Sequence, residues 1–123
     1  MKKEISYFDL IEERGRSMSE INPGSVEKAL TFEDALIAIE LLKNVNKPIY
    51  GGDIVSENDG KLMYAYNLWG SGYHCLNWSC DKEIKETNDE FINRSYETAK
   101  KSVVAAKEIA NKIFKNCYIV LVL

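Results

Sequence analysis

The spacing of apolar positions shifts along the chain from helical to alternating and back to helical. Ile5, Phe8 and Ile11 stand three apart and predict a short helix over residues 3–14, with Gly15 as its C-terminal cap. "INPGS" then marks a turn. Thr31 is placed to cap a second helix, with Asp34 three residues on and Leu30 and Ala35 positioned as a hydrophobic staple. Its buried stripe would be Ala35, Leu36, Ile39 and Leu42. Pro48 forbids continuation beyond Lys47, since it lacks an N–H and crowds the residue before it.

After Pro48 the period changes to two. Residues 48–55 and 61–69 read as strands flanking "SENDG", whose Asp59-Gly60 is a hairpin signal. Leu62, Tyr64, Tyr66 and Leu68 would share one face of the second strand. "GSG" at 70–72 is a further break, and "YHCLNWSC" is expected to form a third strand. A long helix over about 88–114 follows, with Thr87 and Glu90 at capping-box spacing. Its stripe is Ile92, Tyr96, Ala99, Val103, Ala106, Ala110 and Ile113, and the alanines predict close approach of whatever packs there. Glu90/Arg94, Glu97/Lys101 and Glu108/Lys112 are (i, i+4) pairs with the acid first. The chain ends in "CYIVLVL", an apolar run without alternation, as expected of a strand covered on both faces. Together these predict an α+β fold in one domain, residues 1–123. An antiparallel hairpin or meander would be packed by the long C-terminal helix and two N-terminal helices, with an apolar last strand.

"IYGGDIV" within the first strand is unusual, because Gly51, Gly52 and Asp53 are types depleted in strands. Alternation puts Ile49, Gly51, Asp53 and Val55 on one face and Tyr50, Gly52 and Ile54 on the other. Each face has a bare position, which suits a bulge, or a helix or aromatic ring lying flat on the sheet. The alanine-rich helix is a candidate occupant. Asp53 must find donors or face solvent. In the second case, a fixed charge beside two glycines could dock a partner.

Composition excludes more than it identifies. The 123 residues are 46% hydrophobic and 28% charged, with no repeat or low-complexity tract. No stretch approaches the ~20 apolar residues of a membrane span, and the charged start "MKKEISYFDLIEER" is not that of a signal peptide. Three cysteines fit a reducing, cytoplasmic setting better than a disulfide framework. Acids dominate the first half and bases the last quarter, but nowhere do bases cluster with aromatics as a nucleic-acid surface requires. An acidic front half would steer a basic partner.

His74 beside Cys75, with Cys80 five residues on, matches no common zinc spacing, so no metal site is expected. A Cys–His nucleophilic pair is conceivable, but strand neighbours such as His74 and Cys75 point to opposite faces. Gly51-Gly52 lies within a strand and lacks the helix and lysine of a phosphate-cradling loop. Tyr64, Tyr66, Trp69, Tyr73 and Trp78 crowd one short region. Trp69 and Tyr73 flank the "GSG" tip and are candidates for partner contact as well as for packing.

The run "ALIAIELLKNVNKPIYGGDIV", followed by a polar hairpin and "NWSCDK", resembles the immunity protein 40 family of bacterial polymorphic toxin systems. The likeness covers roughly residues 30–105, with Ser95 to Ala99 in its helical part. "NLWGSGYHCL" is longer and more aromatic than the family pattern. The resemblance implies a small α+β cytosolic protein that binds a cognate protein toxin, without catalytic residues and without a cofactor. Its pattern falls on Gly51, Gly52, Asp53, Asn77, Trp78, Cys80 and Asp81. Taken with the residues above, the expected partner-binding set is Asp53, Trp69, Tyr73, Trp78 and Asp81, with Gly51, Gly52, Asn77 and Cys80 as structural motif. A small cytosolic enzyme built on Cys and His, or a structural interaction domain, are the alternatives the residues leave open.

Overall fold

The computed structural model describes residues 5–123. Six strands, β1 (Arg16–Ser17), β2 (Lys28–Thr31), β3 (Gly51–Asn58), β4 (Lys61–Tyr64), β5 (Trp78–Ser79) and β6 (Tyr118–Val122), form one antiparallel sheet. The order is β1-β2-β6-β3-β4, and β5 pairs with β3 on the flank that β4 also uses. Helices α1 (Tyr7–Arg14), α2 (Phe32–Asn44) and α4 (Asn88–Lys112) cover one face; a short helix α3 (Ala65–Trp69) follows β4. This is an α+β fold with a long C-terminal helix, as the periodicity predicted.

Helix starts follow the capping chemistry. Thr31 and Thr87 each accept the N–H of the residue three positions on, and Glu90 returns the bond to Thr87. The predicted α4 stripe is buried at Tyr96, Ala99, Val103, Ala106 and Ala110, with Ile92 and Ile113 partly covered. Ala35 and Ala38 of α2 join the same core, so small residues stand on both packed helices. The last strand lies between β2 and β3. Ile119 and Leu121 pack toward the helices and Val120 toward the other face.

Several expectations are corrected. The helix expected over 3–14 runs from Tyr7, because Ser6 forms a capping box with Asp9; residues 3 and 4 lie outside the described residues. Its buried residues are Tyr7 and Leu10, whereas Ile5 and Phe8 are exposed. Apolar residues at 5, 7, 8, 10 and 11 fit two stripes, and contact with the sheet selects one. Helix α2 stops at Asn44, within the limit that Pro48 sets, as the chain turns through Asn46 in the left-handed region (φ 56°) and Lys47 N–H bonds back to the Leu42 carbonyl. Its stripe takes Ala38, while Leu36 is only partly buried. The hairpin is tighter than expected. Pairing continues to Asn58↔Lys61 around Asp59 and Gly60, both at positive φ (52° and 82°), as a two-residue turn requires.

The largest correction concerns residues 65–80. The second hairpin strand ends at Tyr64 and the chain becomes helical, so Tyr66 and Leu68 are not strand positions. The first half of "YHCLNWSC" belongs to a 3-10 helix (Ser71–Leu76), and only Trp78–Ser79 pairs. Of the three (i, i+4) pairs, none is an ion pair among the described residues; Arg94 turns to Glu86, and Glu90 serves the cap.

Candidate binding surface

Gly51 and Gly52 are paired on both sides, to Ser79 and Trp78 of β5 and to Val122 and Leu121 of β6. A Cβ on Gly52 would collide with the Trp78 indole. One on Gly51 would run into the Trp78 carbonyl and stand 3.2 Å from Ser79 Cα. The space over Gly52 is thus filled by an aromatic ring and not by the alanine stripe of α4. Asn77 Oδ1 accepts the Ile54 N–H at 2.8 Å, and the Cys80 N–H donates to the Tyr50 carbonyl at 2.8 Å. Cys80 is buried, with Arg94 Nη1 3.3 Å from its Sγ. Arg94 also donates to the Asp81 carbonyl (2.6 Å) and to both oxygens of Glu86 (2.6 and 2.8 Å), holding that carboxyl down at about 2. The two short segments "GGD" and "NWSCD" are therefore two sides of one assembly.

The five expected contact residues do not converge. Trp69 and Trp78 pack against the helix-side core, and the indole N–H of each is buried without a partner among the described residues. Tyr73 meets Trp69 edge-on (5.8 Å, 85°) and is partly exposed. Asp81 is exposed at the loop before α4.

Asp53 belongs to the opposite face. Ile54 points to the helices, while Val55 packs in a second cluster with Met18, Ala29, Leu62 and Val120, and alternation places Asp53 and Gly51 on Val55's side. Met18 and Ile21 pack against this face with Ala29, Val55, Leu62 and Val120. Asp53, in register with Val120 of this cluster, is half-buried and desolvation raises its pKa. Glu27, two residues before Ala29, is raised by desolvation and then by the charge of Asp53. Tyr64 is raised by desolvation and then by Asp53, Tyr66 and Glu27. Tyr64 stacks on Tyr66 (5.6 Å, 9°), and His74 meets Tyr66 edge-on at 4.8 Å. Among the described residues no lysine or arginine forms an ion pair with Asp53 or Glu27.

Sequence reasoning missed Glu27 and the approach of Tyr64, because β2 is four residues long and carries no period to read. As for chemistry, burial pushes the Cys117 thiol up to about 11, so it stays protonated at neutral pH. Among the described residues no group of three His, Cys, Asp or Glu side chains could hold a metal ion, and no helix is long and apolar enough to cross a membrane.

A sheet backed by helices on one side and left partly open on the other, with acids and tyrosines at the opening, defines a small α+β protein with a surface to present. The family model for immunity protein 40 matches residues 17–123, and the chain belongs to that family. Membership implies a toxin-neutralising role in general, through binding of a cognate toxin, in a family that is generally non-catalytic. The match extends beyond the 30–105 over which the resemblance was read, to the C-terminal strand. Comparison with curated proteins and comparison with solved structures each gave no match.

Proposed function

We propose that this chain protects the bacterial cell that makes it by binding one cognate toxin of a polymorphic, contact-dependent or secreted system, in the cytoplasm, and covering its working surface. The observation that carries this reading is the family match across residues 17–123. Neutralisation is by occlusion and needs no turnover. Of the residues expected to touch the toxin, Asp53, Tyr73 and Asp81 keep side chains at or near the surface, while Trp69 and Trp78 act from behind it by fixing β5 and the 3-10 helix. An acidic surface steers a basic toxin at long range, and short-range packing holds it.

The test is co-expression with the toxin domain encoded beside this chain. Cells carrying both should survive, and the two proteins should purify as a stable complex. Cell death despite abundant soluble expression of this chain contradicts the reading.

A further inference from the structure

We propose that the apolar surface around Phe8 receives a second copy of this chain, so that the protein associates as a two-fold dimer through helix α1. The inference does not depend on toxin binding.

Large apolar side chains left in solvent are gathered here. Of the ten exposed ones among the described residues, Ile5, Phe8, Val26, Val45 and Leu123 line two neighbouring cavities. The larger, about 270 Å³, lies between α1, the segment entering β2 and the end of β6. The smaller, about 190 Å³, lies between α1 and the end of α2. Both are lined by Tyr7, Phe8 and Lys47, and Phe8 stands 63% exposed between them. Single apolar residues on a surface need no explanation, but a contiguous apolar patch marks a place where something docks.

A second copy is the occupant that the patch itself specifies. A two-fold interface sets one surface against its own image, so that surface must hold both halves of each contact. Here an exposed ring adjoins a cavity walled by Tyr7, Ile11, Val26 and Leu121. A two-fold axis running between ring and cavity sets each Phe8 over the other copy's cavity. The lining also carries both signs of charge, Glu27 with Lys28 and Lys47, so each copy can bring opposite charges to the other. A basic toxin would meet Lys28 and Lys47 with repulsion instead. The exposed ring belongs to α1, which precedes the residues that the family model matches, so it is not part of what the family shares.

The experiment is sedimentation velocity of the purified full chain over about a hundredfold range of concentration, with no toxin present. The mass should rise from that of one chain at the dilute end toward that of two at the concentrated end. Phe8→Ser should weaken self-association at least about tenfold, because a central aromatic anchor carries a large share of an interface's energy. Phe114→Ser, an aromatic 93% exposed beyond the end of α4 and outside both cavities, should leave it unchanged. If Phe8→Ser unfolds, Val26→Ser is read in the same way, since Val26 is 86% exposed and lines the larger cavity. A wild-type chain that stays monomeric throughout overturns the proposal. So does a dimer that neither Phe8→Ser nor Val26→Ser weakens more than Phe114→Ser does. Loss of toxin affinity in Phe8→Ser, with a monomeric wild type, gives the patch to the toxin and overturns it likewise. None of the three outcomes removes toxin binding, which co-expression tests.

Discussion

Asp53 is held where its charge is penalised, and the penalty has a measurable sign. Its folded-state pKa lies above the ordinary 3.8 because burial disfavours the anion. Stability tied to the protonated form is complete below that ordinary value and is lost as pH rises through the raised one. Asp53→Asn should therefore raise the thermal midpoint at pH 7, and the gain should vanish near pH ~3, where both states are protonated. Glu86 has the opposite sign. Arg94 holds it at about 2, below its ordinary 4.5, so its contribution is present above 4.5 and lost as pH falls toward 2. Glu86→Gln should lower the midpoint at pH 7. A carboxylate that weakens the fold, retained in a central strand, fits a residue kept for binding. At Gly52, alanine would force the Trp78 ring to move, and overpacking of this kind costs about 1–3 kcal/mol. Gly72→Ala, with nothing within 4 Å of its Cβ, should be near neutral, and urea unfolding of the two variants checks the difference. That Gly51 and Gly52 make room was legible in the sequence; that Trp78 fills the room over Gly52 was not, because its partner strand is two residues long.

Among the elements, α2, α4, the hairpin turn and the last strand were legible because each carries a full local signal: a cap, a stripe, a turn dipeptide or an unbroken apolar run. Residues 65–69 read as strand since Tyr64, Tyr66 and Leu68 alternate, yet α3 packs Ala65 and Trp69 into the helix-side core and the chain leaves the sheet. The junction between α4 and β3 is held by Ser95, fully buried, whose hydroxyl accepts the Ile49 N–H at 3.1 Å and donates to the Ile92 carbonyl at 2.7 Å. Ser95→Ala strands the Ile49 N–H in the core and should destabilise by about 1–3 kcal/mol in urea unfolding. Ser102→Ala, partly exposed on the same helix, provides the comparison.

For the whole molecule, the family match begins at residue 17, but the core does not. Helix α1 inserts Leu10, fully buried, and Tyr7, and Arg14 pairs with Asp34 of α2 at 3.0 Å. Leu10→Ala should cost about 2–5 kcal/mol, a large part of a typical domain's stability. Guanidinium unfolding checks this, and a loss below about 0.5 kcal/mol would show α1 to be an appendage. By itself the sequence determined the α+β class, the helix caps, the long amphipathic α4 and the buried last strand, because periods and caps act between residues close along the chain. Only the tertiary structure decided which stripe of α1 faces inward, that Trp78 lies on Gly52, and that Glu27 and Tyr64 gather around Asp53. Those contacts join residues far apart in sequence through two-, four- and five-residue elements, too short to leave a period, and are set by how the sheet is ordered.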